Sequence, residues 1–151
     1  MTDGNSSASS LAGSRAVDLG LLVLRVGIGV VFIVHGVPKL LDGPAKWAEL
    51  GQAMGVFGIT FAPAFWGFMC GVTEAVGGLA LVLGLFVRPV AILQFINMVV
   101  ATALMVSLHK GWGGIAHPLS MGIVFLALAF AGGGRLALGM LVTPLADRWF
   151  R

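Results

Sequence analysis

The sequence predicts an all-α protein, a four-helix transmembrane bundle with a short interfacial helix between the first two spans. Hydrophobic residues make up 58% of the chain and charged residues only 10%, against about 25% charged in soluble proteins. The apolar residues gather into four blocks, each close to the ~20 residues that a helix needs to cross the hydrocarbon core. Glycine, proline and basic residues punctuate the gaps between them, as expected of turns at a membrane surface.

At 151 residues the chain has the length of one domain. Residues 1–16 are rich in Ser, Ala and Gly; too little apolar surface is available there to fold, so a disordered N-terminal tail is expected. The membrane domain is expected over 17–138, followed by a surface tail over 139–151. The first span covers Leu19–Leu41 and carries Arg25, His35 and Lys39. Its apolar run is long and no A-x-A cleavage site follows, so it reads as a retained span and not as a signal peptide. Pro38 and then Asp42–Gly43–Pro44 predict its end. Lys46–Gly58 places Trp47, Leu50, Met54 and Phe57 at helical spacing among polar residues; too short to cross, it belongs in the interface.

The second span is expected from Ala62 to Leu85 and the third from Pro89 to Leu108, with Arg88 in the turn between them. His109–Gly114 reads as a loop, and the fourth span, Ile115–Ala131, is the shortest. Gly132–Arg135 closes it, and the tail Leu136–Arg151 is expected at the surface. An even number of crossings puts both termini on one side with Arg15, Arg88, Arg135, Arg148 and Arg151, leaving Lys39, Lys46 and Lys110 on the other. The positive-inside rule then places the termini in the cytoplasm. Trp47, Trp66 and Trp112 read as anchors at the outer interface and Trp149 at the inner one.

Several function classes fall away. The surplus of basic over acidic residues is small and dispersed, so nucleic acid is not an expected partner. Cys70 is the only cysteine, which excludes an internal disulfide and a CxxC dithiol mechanism. No Gly-rich stretch follows a strand, so no phosphate-cradling loop is expected.

What remains is the set of polar side chains inside apolar helices. A charged group at the centre of a span costs at least ~2.5 kcal/mol on insertion scales, so each implies a partner, a wet cavity or a route to the interface. Glu74 lies near the middle of the second span, and its depth suggests Arg25 as its partner, with Gln94 and Asn97 at a similar level. Four polar side chains from three helices would then converge. Gly67, Gly71, Ala75 and Gly78 form a small-residue face beside Glu74, which lets a neighbouring helix approach or supports self-association into a homo-oligomer. Glu74 is the candidate catalytic group, as a proton-relay or ligand-binding carboxylate; the plainer alternative is a register-fixing ion pair. Gln94 and Asn97 serve as interhelical hydrogen-bond glue or as ligand contacts.

On the first helix Arg25, Phe32, His35 and Lys39 recur at helical spacing and suggest a lined path to the outer surface. Alternatively, His35 and Lys39 snorkel to the headgroups. His109 and His117 form a candidate outer-face cluster. With His35 they could bind a metal or relay protons, but their spacing matches no established metal motif, so no metal site is assigned. Cys70 reads as a small core residue before a reactive thiol.

Leu24–Arg25–Val26–Gly27–Ile28–Gly29, leading to His35–Gly36–Val37–Pro38–Lys39–Leu40, is followed by Glu74 in a Gly-rich span, Gly84–Leu85, Arg88–Pro89 and Gly134–Arg135–Leu136. From Leu19 to Leu138 this order resembles the DoxX family of small bacterial membrane proteins. The resemblance implies a four-helix protein of the cytoplasmic membrane. It also implies kinship with a subunit related to thiosulfate:quinone oxidoreductases, and with members linked to complexes that handle oxidative and thiol stress. Arg25, Lys39 and Glu74 carry over by motif position, and His35 and Gly36 with them. The expected function is a membrane subunit that binds a quinone or another small redox-active molecule in the bundle and acts with partner proteins, as an auxiliary or non-catalytic part of an oxidoreductase. The alternatives are a small proton or anion transporter and a membrane anchor or assembly factor.

Overall fold

The structure, a computed structural model, describes residues 3–139. Among them five α-helices follow one another: α1 (Asp3–Leu41), α2 (Pro44–Gly51), α3 (Pro63–Leu83), α4 (Val87–Ser107) and α5 (Gly111–Ala131), with a 3₁₀ turn over Gln52–Phe57. No strand occurs among the described residues. Among the described residues four helices are long and apolar enough to cross a membrane: the Gly13–Leu41 part of α1, and α3, α4 and α5. The four-helix bundle and the short helix between its first two spans are therefore both present.

Element ends depart from the sequence expectation in three places. Helix α1 begins at Asp3, so most of the stretch expected to be a disordered tail is helical; once an apolar span has nucleated a helix, adding Ser and Ala turns requires only propagation. Pro38 lies inside α1 and does not end it. A proline removes one backbone donor and crowds the carbonyl four residues back, and here only three residues follow it. The chain turns instead at Gly43, whose φ of 84° suits a residue without Cβ. Finally, α5 starts at Gly111, not Ile115, so the fourth span has the same 21 residues as α3 and α4. The tail beyond Gly139, with Trp149 and its two arginines, lies outside the described residues.

Glycines set the packing of α1 on α3. A Cβ on Gly29 would stand 2.6 Å from the Gly78 carbonyl oxygen, and one on Gly36 would meet the backbone of Glu74 and Ala75. The small face of α3 is thus used inside the bundle, against α1, where backbone contact needs glycine. The same device seats the interfacial segment: Gly51 presses on Pro63 and Gly67 on Trp47, backbone to backbone. On the far side Phe32 of α1 packs edge-on to Phe125 of α5, ring centroids 4.7 Å apart, within a core shared with Leu81, Val87, Ala91, Met98 and Leu128. Leu138 and Gly139 donate backbone hydrogen bonds to the Leu83 and Gly84 carbonyls, which ties the segment after α5 to the α3–α4 turn.

Candidate functional site

Because α1 and α3 run antiparallel, the α1 residues nearest Glu74 are those around Gly36, one turn before Lys39. Gly36 brings the two backbones together, and Lys39 then reaches the carboxylate with Nζ 2.6 Å from both Oε1 and Oε2. Asn97 of α4 donates from Nδ2 to Oε1 at 3.1 Å. Cys70, four residues before Glu74 on the same face of α3, lies with Sγ 3.7 Å from Oε1 and 3.9 Å from Lys39 Nζ. Three spans thus contribute to one cluster. The Glu74 side chain is only 4% exposed, whereas that of Lys39 is 28% exposed, so the ammonium is the accessible edge.

Arg25 is not the partner of Glu74. It lies level with the last turn of α3, roughly 11 Å along the axis from Glu74 at 1.5 Å per residue. There its guanidinium donates to the carbonyls of Leu81 at 3.1 Å, Val82 at 2.7 Å and Leu136 at 2.7 Å. The C-terminal carbonyls of a helix lack intrahelical donors and carry partial negative charge, so the terminal nitrogens of a buried arginine, 2% exposed, find acceptors there without a carboxylate, while its Nε has no hydrogen-bond partner. The expected convergence of four polar side chains therefore divides. Asn97 joins the cluster, while Gln94, fully buried, donates to the Thr73 carbonyl at 2.9 Å and holds α4 to α3. The lined path along α1 does not form either. Phe32, packed on Phe125, fills the level between Arg25 and Lys39 with an aromatic plug.

The histidines lie elsewhere. His35 and His117 are exposed and their rings approach across α1 and α5, centroids 6.3 Å apart. His109 is exposed in the turn between α4 and α5. Among the described residues no group of three His, Cys, Asp or Glu is placed to hold a metal ion. Trp47 and Trp66 do more than mark the interface: the Trp47 indole donates to the Lys39 carbonyl at 2.8 Å, tying α2 to the end of α1, and Trp66 donates to the Phe61 carbonyl at 3.1 Å. Trp112 is 73% exposed.

A cavity of about 430 Å³ opens beside the cluster, within the size range of small-molecule sites. Lys39, Cys70, Thr73, Glu74 and Asn97 form its polar end. Its walls are apolar, from Trp66 and Met69 of α3, Ile96 and Val100 of α4, and Met54 of the 3₁₀ turn. Sequence reasoning missed two lining groups, the 3₁₀ turn and Cys70. The spacing of Cys70 from Glu74 was the available signal for the thiol, since residues four apart share a helix face.

Residues 20–109 match the DoxX family. The chain is 32% identical over 127 residues to an uncharacterized protein of Haemophilus influenzae, covering 78% of this chain and 87% of that one. It is 31% identical over 132 residues to the inner membrane protein YphA of Escherichia coli, covering 78% and 86%. A Bacillus subtilis protein named "Putative oxidoreductase CatD" is 27% identical over 88 residues, 57% of this chain and 59% of that one. No solved structure matches significantly. With the matched segment running from within the first span to the turn after the third, and so holding both Lys39 and Glu74, the chain belongs to the DoxX family.

Proposed function

We propose that this protein is a subunit of the bacterial inner membrane that holds a quinone or a comparable small redox-active molecule in the α3–α4 cavity and acts with partner proteins that exchange electrons with it. One observation carries the reading: a compact Lys39–Glu74–Asn97 cluster, with Cys70 beside it, closes one end of an otherwise apolar cavity. An apolar pocket with a few convergent polar groups is the usual form of a site for a flat organic ligand. The name of the Bacillus subtilis relative adds weight to a redox role, and that of the Escherichia coli relative to the inner membrane.

The residues fit such a group. A quinone carbonyl needs hydrogen-bond donors, and the Lys39 ammonium and the Asn97 amide supply them. Trp66 offers a flat apolar wall. A bound quinone would supply the capacity to take up two electrons with two protons. The chain's own part is to position the head by Lys39 and Asn97 and to offer the Glu74 carboxylate, which both side chains already contact, as the proton acceptor when the bound group gives up its protons. Lys39 and Glu74 compensate each other at 2.6 Å, so the cluster favours a neutral ligand over an anion. This observation, with Arg25 engaged by carbonyls, weighs against anion transport.

The deciding experiment is extraction into lipid nanodiscs followed by mass spectrometry of retained quinone. Wild-type protein should retain quinone at near-stoichiometric level. Glu74→Gln, which leaves Lys39 uncompensated, should lower retention about tenfold, or ~1.4 kcal/mol. The double variant Lys39→Gln/Glu74→Gln, free of any unpaired charge, should fold and still fail to retain it. Equal retention in all three would remove the cluster from the function and leave a packing role for the ion pair.

A further inference from the structure

The interfacial segment determines how the cavity is reached, a step that rests on the ligand reading above. Helix α2 and the 3₁₀ turn fold back over the end of the bundle where α1 finishes and α3 begins. Their seat is rigid: Gly51 and Gly67 allow direct backbone contact with α3, and the Trp47 indole is hydrogen-bonded to the last turn of α1. The 3₁₀ turn also reaches α4. Leu50, Gly51, Ala53 and Met54 therefore form a roof across the gap between α3 and α4, and all four are buried or half-buried. They stand between the cavity and the aqueous side.

The lateral side differs. Phe65 is 53% exposed, Leu93 55% and Ile96 52%, and all three line the cavity. Leu93 and Ile96 lie near the middle of a membrane-crossing helix, so what they are exposed to is hydrocarbon and not water. From Leu93 to Leu104 the α4 wall runs roughly 16 Å at 1.5 Å per residue, from mid-span to the roof. Polar groups occupy only the deep side of this groove, toward α1.

We infer that the ligand enters from within the bilayer, through a lateral portal between α3 and α4 framed by Phe65, Met69, Leu93 and Ile96. Its class is a neutral amphiphile, a polar ring that meets Lys39 and Asn97 joined to a hydrocarbon tail that lies out along the portal in lipid. Neutrality follows from the compensated Lys39–Glu74 pair, and the tail from the apolar, lipid-facing groove. The roof keeps a water-borne solute from the cluster.

The test uses the full chain in lipid vesicles with a photoreactive ubiquinone analogue bearing a decyl tail, and peptide mapping of the labelled residues. Capture at the cavity should follow the ratio of analogue to lipid, falling when protein-free vesicles are added at constant total analogue. Ile96→Trp, which puts a larger apolar ring at a lipid-facing position, should slow capture about tenfold, as should Leu93→Trp if the first variant assembles poorly. The final extent of labelling should change less than the rate. Capture that is indifferent to added lipid and to both tryptophans would overturn lateral access while leaving the ligand reading standing. Absence of any label in the cavity of the wild-type protein would overturn both.

Discussion

Arg25 and Lys39 share one helix, but their surroundings assign them different work. Arg25 joins three carbonyls from two segments, a task for a planar fork with several donors that a lysine cannot reproduce. Arg25→Lys should therefore lower stability by about 2–3 kcal/mol, the value of one or two charged hydrogen bonds at a buried site. In nanodiscs the variant should still retain quinone, because the cluster at Lys39 is untouched. A thermal midpoint equal to wild type would show that the carbonyl contacts do not stabilise the fold. The sequence made the need for partners legible, since an ionisable group in a span must be satisfied. It did not disclose the partners. Counting residues from the expected span ends favours Arg25 by depth, but the register of α1 on α3 puts Gly36 level with Glu74 and Arg25 level with Leu81 and Val82, and that register cannot be read from span lengths. Backbone carbonyls at the end of α3 leave no mark in the identity of residues 81 and 82.

At the scale of the helix the decisive feature is which glycines are in contact. Gly27 has open space where a Cβ would be, whereas at Gly36 the same atom meets the backbone of α3 and would lie 2.7 Å from Glu74 Cβ. Gly27→Ala should be neutral or stabilise by up to ~1 kcal/mol, the ordinary helical preference for alanine. Gly36→Ala should cost about 1–3 kcal/mol, as overpacking does, and should reduce quinone retention by moving Lys39 away from Glu74. Thermal unfolding in detergent with retention on the same samples checks both; equal behaviour of the two alanines would mean that the α1–α3 approach does not depend on Gly36. The existence of the spans and of the interfacial helix was readable because length and apolar content dictate them. Their ends were not. Helix continuation through the Ser- and Ala-rich N-terminal stretch, past Pro38 and into the glycines at 111–114 depends on propagation from an already stable span, which local composition understates.

For the whole molecule, direction in the bilayer governs how the site would be used. Four crossings place the turn at Arg88 and the segment at Arg135 at one end, and the roof, Lys46 and Lys110 at the other. Counting Arg15 and, as the sequence expects, Arg148 and Arg151 with them, the arginines of the first end outnumber Lys39, Lys46 and Lys110 at the roof end, so the first end should face the cytoplasm. In a Cys70→Ala background, a cysteine introduced at Lys110 should react with a membrane-impermeant maleimide in intact cells, and one at Arg135 only after permeabilisation. Both positions are exposed, so failure to label reports sidedness and not burial. That outcome would put the Lys39–Glu74–Asn97 cluster in the outer half of the bilayer, with the roof against the outer leaflet, and a proton accepted at Glu74 would leave toward that side. Soluble partners in the cytoplasm would then meet the arginine end, remote from the cluster, and electrons would have to reach the ligand through a further membrane-embedded protein or by movement of the ligand itself. The reverse labelling pattern would bring the roof to the cytoplasmic face and allow a soluble redox partner to dock directly above the cavity.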